Sequence, residues 1–133
     1  MIKSVDHIDI GVIDIDTSVD FFLKMGFHVI RQTEHGGGAI ELQCPGSDDN
    51  PILELHPVSE SRPQGIHHIA FKVDNINNTY NNLLSKNLEF QSSPNYVSQT
   101  ERWLASLFDP DGNKFQFVQV ENDNQDQPNP KND

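Results

Sequence analysis

A chain of 133 residues has room for one compact domain, or for two half-size units sharing a core. Its 35% hydrophobic content, with eight Phe, suffices for a packed interior, and no apolar run approaches the roughly 20 residues that a membrane-spanning helix needs. The formal charge of −11, from twenty acidic and nine scattered basic residues, argues against a surface that tracks nucleic-acid phosphates.

The N-terminal stretch enters an alternating pattern at once and lacks the apolar block of a signal peptide. Val5, His7, Asp9 and Gly11 alternate with Ile8, Ile10 and Val12, the period of a strand. Asp16-Thr17-Ser18 offers N-cap side chains ahead of Val19, Phe22 and Leu23 at helical spacing, and Gly26 supplies a stop. Three short strands are expected next, over Phe27–Gln32, Ala39–Cys44 and Ile52–His56, separated by Gly36-Gly37-Gly38 and Pro45-Gly46-Ser47-Asp48. Cys44 is the single cysteine, so an internal disulfide is impossible, and a reducing cytosol is the expected compartment.

The pattern then restarts. Shifted by 61 positions, His7-Ile8 falls on His68-Ile69, Val12 on Val73, Ile15 on Ile76 and Leu23 on Leu84 without a gap. His68, Ala70 and Lys72 alternate with Ile69, Phe71 and Val73. Asn77-Asn78-Thr79 precedes a second helical run through Tyr80, Leu83 and Leu84, and Asn87 replaces Gly26 as the left-handed stop. Strands are expected near Glu89–Gln91, Trp103–Phe108 and Lys114–Val120, with a turn at Asp109-Pro110-Asp111-Gly112. The expected fold is α+β, two βαβββ modules (about 1–60 and 61–120) paired around a pseudo-twofold axis. From Glu121 the sequence holds no apolar residue and two prolines, so 121–133 is expected to be a disordered acidic tail.

The repeat sorts the polar residues. His7 and His68 hold the same place in the first strand of each copy, opposite the Ile and Val face. Leu53-Glu54-Leu55 matches Phe115-Gln116-Phe117 in the last strand of each copy, an oxygen donor between apolar neighbours in both. A twofold axis would gather His7, Glu54, His68 and Gln116 around one divalent ion: imidazole suits Zn, Ni, Co, Fe or Mn, and the oxygen donors move the site away from thiolate chemistry. Fewer than six protein ligands leave positions for water and substrate. His67, the next residue along the strand, is expected to point away from this centre. His28, His35 and His56 have no partner at matched positions and read as surface or rim residues, and Cys44 has no neighbour that would activate it.

Val5-Asp6-His7-Ile8-Asp9-Ile10-Gly11-Val12, Ser18 through Phe27, Ile52-Leu53-Glu54-Leu55, His67 through Asp74 and Asp109-Pro110-Asp111-Gly112-Asn113 together resemble the vicinal oxygen chelate superfamily. Its members include glyoxalase I, methylmalonyl-CoA epimerase, extradiol dioxygenases, fosfomycin-modifying enzymes and bleomycin-binding proteins. The resemblance covers nearly all of residues 1–120. It implies modules whose sheets curl into a cup around a metal held at His7, Glu54, His68 and Gln116. The position of Gln116 usually holds Glu, which in several members also moves protons. Gln binds through its carbonyl oxygen but accepts no proton at useful pH, so the base would be Glu54.

Glu34-His35-Gly36 resembles the epimerase segment that carries a second acid–base glutamate, which makes Glu34 the candidate partner of Glu54. The link from Glu54 to His68 is short and supplies little surface for a coenzyme A tail. Arg102 and Trp103 are expected near the lining of the second half, where they would hold a substrate carboxylate or apolar portion. The resemblance implies a metal-dependent lyase or isomerase acting by proton transfer on a small substrate chelated through its oxygens, working as a cytosolic homodimer with no nucleic-acid or membrane partner. Its alternatives are an iron-dependent extradiol-type dioxygenase and a non-enzymatic drug- or metabolite-binding protein.

Overall fold

The computed structural model describes residues 1–120, so the expected tail over 121–133 lies outside the described residues. Those residues divide into two units, one of Val5–Ile69 and one of Met1–Ser4 with the chain from Ala70 onward. Each repeats the order strand, helix, three strands, and the fold is α+β as expected.

The first unit holds β1 (Ile2–Val12, from Val5 on), α1 (Ile15–Lys24), β2 (His28–Thr33), a 3-10 turn at His35–Gly37, β3 (Ala39–Gln43), β4 (Ile52–Pro57) and the start of β5 (Gly65–Val73). Its strand order is β2-β3-β4-β1-β5. β4 runs antiparallel to β3 and parallel to β1, with Ile8 opposite Leu53, Asp9 opposite Glu54, Ile10 opposite Leu55 and Gly11 opposite His56. Because side chains alternate along a strand, this register sorts the sheet into two faces. Ile10, Val12, Ile40, Leu42, Leu53 and Leu55 gather on one face under Ile15, Val19 and Phe22 of α1. Burying each such side chain contributes about 1.5–3 kcal/mol, so the helix is held by the apolar stripe it covers. His7, Asp9, Glu41, Glu54 and His56 occupy the other face, and all are buried.

The N-cap of α1 lies two residues before the expected Asp16-Thr17-Ser18: it is Asp14, its carboxylate accepting from the Thr17 amide at 3.0 Å. The earlier start brings Ile15 into the helix, where it packs on the sheet. The second unit makes the same adjustment, with Asn75 capping the Asn78 amide at 3.0 Å and Ile76 fully buried. Both stops are left-handed as expected, Gly26 at φ +95° and Asn87 at φ +67°.

The second unit continues from the end of β5 through α2 (Ile76–Ser85), β6 (Asn95–Val97), β7 (Arg102–Phe108) and β8 (Lys114–Val120), in the order β5-β8-β7-β6. No strand forms at Glu89–Gln91. That segment makes a single backbone bond from Gln91 N–H to Ser106 C=O (2.8 Å), and Phe90 turns into the core against Tyr80 at 4.8 Å between ring centres. The first of the three strands after α2 instead forms after Pro94, which has no N–H for a ladder, and pairs Asn95–Val97 with Arg102–Leu104. Val73, Ile76, Trp103, Ala105, Leu107 and Phe117 make the core of this unit, with Phe71 stacked on Phe115 beside it. Among the described residues no helix is long and apolar enough to cross a membrane.

Candidate metal centre

His7 and His68 meet as the repeat predicts. Both side chains are buried, and their Nε2 atoms lie 3.3 Å apart. His7 Nδ1 is 2.7 Å from Asp6 Oδ2, and His68 Nδ1 is 2.7 Å from His67 Nδ1. A carboxylate accepts only, so Nδ1 of His7 carries the hydrogen and a neutral ring presents a bare Nε2 lone pair toward His68. Once His67 accepts from His68, that ring does the same. Two lone pairs 3.3 Å apart repel each other, yet two nitrogens take this spacing when each sits about 2.1 Å from a shared ion. An imidazole fixed at Nδ1 by an outer partner is also the usual support of a metal ligand. The donor set therefore fits a borderline divalent cation.

A second polar group lies on the same face of the first unit. Asp9 is fully buried, and its Oδ2 accepts from His56 Nδ1 at 2.7 Å and from Arg62 Nη1 at 2.9 Å. Burial, the largest influence, works to raise the Asp9 pKa. The hydrogen bond from His56 and the electrostatic pull of the neighbouring His68, His56 and Arg62 outweigh it, and hold the carboxyl well below the usual carboxylate range. Gly11 permits this arrangement, since any Cβ there would strike the Pro63 carbonyl oxygen and displace the segment that carries Arg62. His56 Nε2 stands 3.6 Å from Glu54 Oε1, beyond hydrogen-bond length. Neither His56 Nε2 nor Asp9 Oδ1 has a hydrogen-bond partner among the described residues. One ligand atom each from His35, Glu54 and His56 lies within 4.8 Å of the others, as do those of Asp9, His67 and His68.

Several expectations need correction. His56 is fully buried rather than at the surface, because its place opposite Gly11 sets it on the polar interior face. His35 is half-buried and turns its ring toward His56, with centroids 5.9 Å apart. His67 does not point away: alternation fixes the Cβ direction, but the ring reaches back to meet His68 edge to face at 5.0 Å. His28 is exposed, as expected.

Glu54 is buried on β4. Glu34 is exposed at the start of the 3-10 turn, so from its segment it is the neighbouring His35 that enters the cluster. Gln116 lies in the second unit, buried on β8 opposite Ser106. Arg102 shares the face of Gln116 by register, whereas Trp103 lies on the opposite face, in the helix-covered core. That placement removes Trp103 from the polar face on which a substrate was expected to rest. The second unit also carries a cavity of about 800 Å³ walled by Phe71, Phe90, Leu107, Phe108, Phe115 and Phe117.

Asp9, His56 and Arg62 were not among the residues singled out from the sequence. Two of them were within reach of the same strand period: Asp9 follows His7, and His56 follows Glu54, by two positions each. Arg62 lies in the link between β4 and β5, where no periodicity operates.

Residues 4–117 match the profile of the Glyoxalase/Bleomycin resistance protein/Dioxygenase superfamily. An uncharacterized protein of Bacillus subtilis, YwbC, is 30% identical over 125 residues, covering 90% of this chain and 99% of that one. A probable lactoylglutathione lyase of Synechocystis is 26% identical over 122 residues, covering 86% and 93%. Among solved structures, the methylmalonyl-CoA epimerase of Streptomyces coelicolor in complex with 2-nitronate-propionyl-CoA superposes with a TM-score of 0.76 at 21% identity, over 92% of this chain and 98% of that one. With its two βαβββ units and this profile match, the chain belongs to the glyoxalase/bleomycin resistance protein/dioxygenase superfamily.

Proposed function

We propose that this protein is a metal-dependent lyase or isomerase of the glyoxalase type, acting by proton transfer on a small substrate that presents adjacent oxygens. The observation that carries the reading is the buried His7–His68 pair, with its Nε2 atoms 3.3 Å apart and each Nδ1 held from behind. His7, His68 and Glu54 would hold one divalent ion, with Gln116 as the fourth ligand on the strength of its repeat equivalence to Glu54. When bound, that ion supplies Lewis-acid stabilisation of negative charge on a substrate oxygen. Glu54 is the base: its carboxylate lies on the polar face of β4, whereas the imidazole nitrogens of His7 and His68 would be taken by the ion and the Gln116 carboxamide accepts no proton. His56, fixed by Asp9, stands beside Glu54 Oε1 and restricts where that carboxylate rests. Arg102, on the face of β7 that it shares with Gln116, is the candidate to hold a substrate carboxylate. The similarity to a probable lactoylglutathione lyase and to a methylmalonyl-CoA epimerase supports the lyase or isomerase class.

Glu54→Gln tests the reading. The variant is expected to keep its circular dichroism spectrum and the metal found in wild-type protein prepared without chelators. Turnover of 2-oxoaldehyde thiol adducts or acyl-CoA epimers should fall by about 100-fold or more. Unchanged turnover would remove Glu54 as the base, and a wild-type protein that turns over substrate fully after chelator treatment would overturn metal dependence.

A further inference from the structure

We propose that His35, Glu54 and His56 form a second divalent-cation site, separate from the His7–His68 pair. Two imidazoles and a carboxylate are a donor set for borderline cations such as zinc. Their ligand atoms already lie within 4.8 Å of one another, and the His56 Nε2 to Glu54 Oε1 distance of 3.6 Å is close to the donor–donor spacing around one ion with bonds of about 2.1 Å.

The independent sign of a ligand is His56 itself. It is fully buried, and its Nδ1 lies 2.7 Å from Asp9 Oδ2 and 3.1 Å from Arg62 Nη1; the shorter contact, to an acceptor-only carboxylate, makes Nδ1 the donor. That leaves Nε2 without a hydrogen-bond partner among the described residues, on the side where Glu54 stands. Leaving a buried ring nitrogen unsatisfied is costly, and a cation in this position removes the deficit. A carboxylate behind the non-ligating nitrogen is the support that fixes a metal-binding imidazole.

His35 completes the set from the 3-10 turn. It is half-buried, so its ring can move toward the other two donors and leave one side of the ion open to water. Because the set uses neither His7 nor His68, this inference does not depend on the proposed function, although it shares Glu54 with it.

The test is zinc titration of the chelator-treated full chain by calorimetry, in wild type, His35→Ala, His7→Ala and, as a control, His28→Ala. His35 and His28 are not core residues, so their variants should fold. Wild type is expected to bind two equivalents. His35→Ala should lose one or bind it at least about tenfold more weakly, His7→Ala should lose the other, and His28→Ala should match wild type. Zinc binding unchanged in His35→Ala overturns the second site, whatever His7→Ala does. Wild type that binds only one equivalent, abolished by either His7→Ala or His35→Ala, also overturns it, since one ion then uses both histidines. Loss in His35→Ala with no change in His7→Ala supports the second site and counts against the metal reading of the His7–His68 pair.

Discussion

Asp9 shows how much one buried residue organises around itself. Its carboxylate orients His56 and anchors Arg62, and Gly11 lets the chain pass close enough for that anchor to form. Breaking a buried ion pair by removing one partner costs about 3–5 kcal/mol, and the partial exposure of Arg62 trims this toward the lower end. Asp9→Asn should therefore lower stability by about 2–4 kcal/mol, read as a fall in the urea midpoint without change in slope. A loss below about 0.5 kcal/mol would mean that the guanidinium and the imidazole are equally well placed without the charge. The histidine pair was legible in the sequence because the repeat places His7 and His68 at equivalent positions. The Asp9 group was not, since Asp9 and His56 have no matched counterparts in the second copy and their link runs across strands. The period of two gave the direction of each side chain, but the pairing register that joins Asp9 to Glu54 and Gly11 to His56 exists only in the folded sheet.

At the level of elements, the repeat made strands, helices and their stops readable. Caps and the weakest strand were less so, because both depend on what packs nearby. Asp14 and Asn75 displaced the expected caps in the same way, each bringing an Ile into the first turn of its helix. Glu89–Gln91 has strand-like composition, but burial of Phe90 took precedence over ladder formation.

The β7–β8 turn was anticipated and carries its own prediction. Asp109 Oδ1 accepts from the Asp111 and Asn113 amides at 3.0 and 2.8 Å, and Oδ2 accepts from Asn113 Nδ2 at 2.8 Å. The side-chain amide of Asn113, followed by its backbone amide, holds the Asp109 carboxyl below the usual range. A depressed folded pKa gives stabilisation that is present above the unfolded value of about 3.9 and is lost as pH falls through the folded one. Protection of the Asp111 and Asn113 amides should therefore weaken as pH drops below about 4, after correction for intrinsic exchange. In Asp109→Asn, protection should already be reduced near neutral pH, by about tenfold, and should stay level through the acid range. Identical pH profiles in the two proteins would show that the carboxylate does not organise the turn.

Over the whole molecule, two cation effects are expected on a chain of net charge −11 if the proposed sites bind, and they can be separated. Self-repulsion among surface carboxylates destabilises the compact state, and mobile salt relieves it over a Debye length that shrinks from about 30 Å at 0.01 M to about 8 Å at 0.15 M. The melting temperature should then climb gradually with sodium chloride, by a few degrees over that range. Site-bound zinc behaves differently. A ligand present at about 100 times its dissociation constant adds about 2.7 kcal/mol, which for a chain of this length is a rise on the order of 10 °C at concentrations far too low to screen charge. Replacing both His7 and His35 by Ala takes one ligand from each proposed cation site and leaves the acidic surface intact. The double variant should keep the sodium chloride response and lose most of the zinc response, as read by calorimetric scans with and without each salt. If zinc still raised its melting temperature as much as that of wild type, the effect would come from diffuse binding to surface carboxylates, and neither buried cluster would hold the ion.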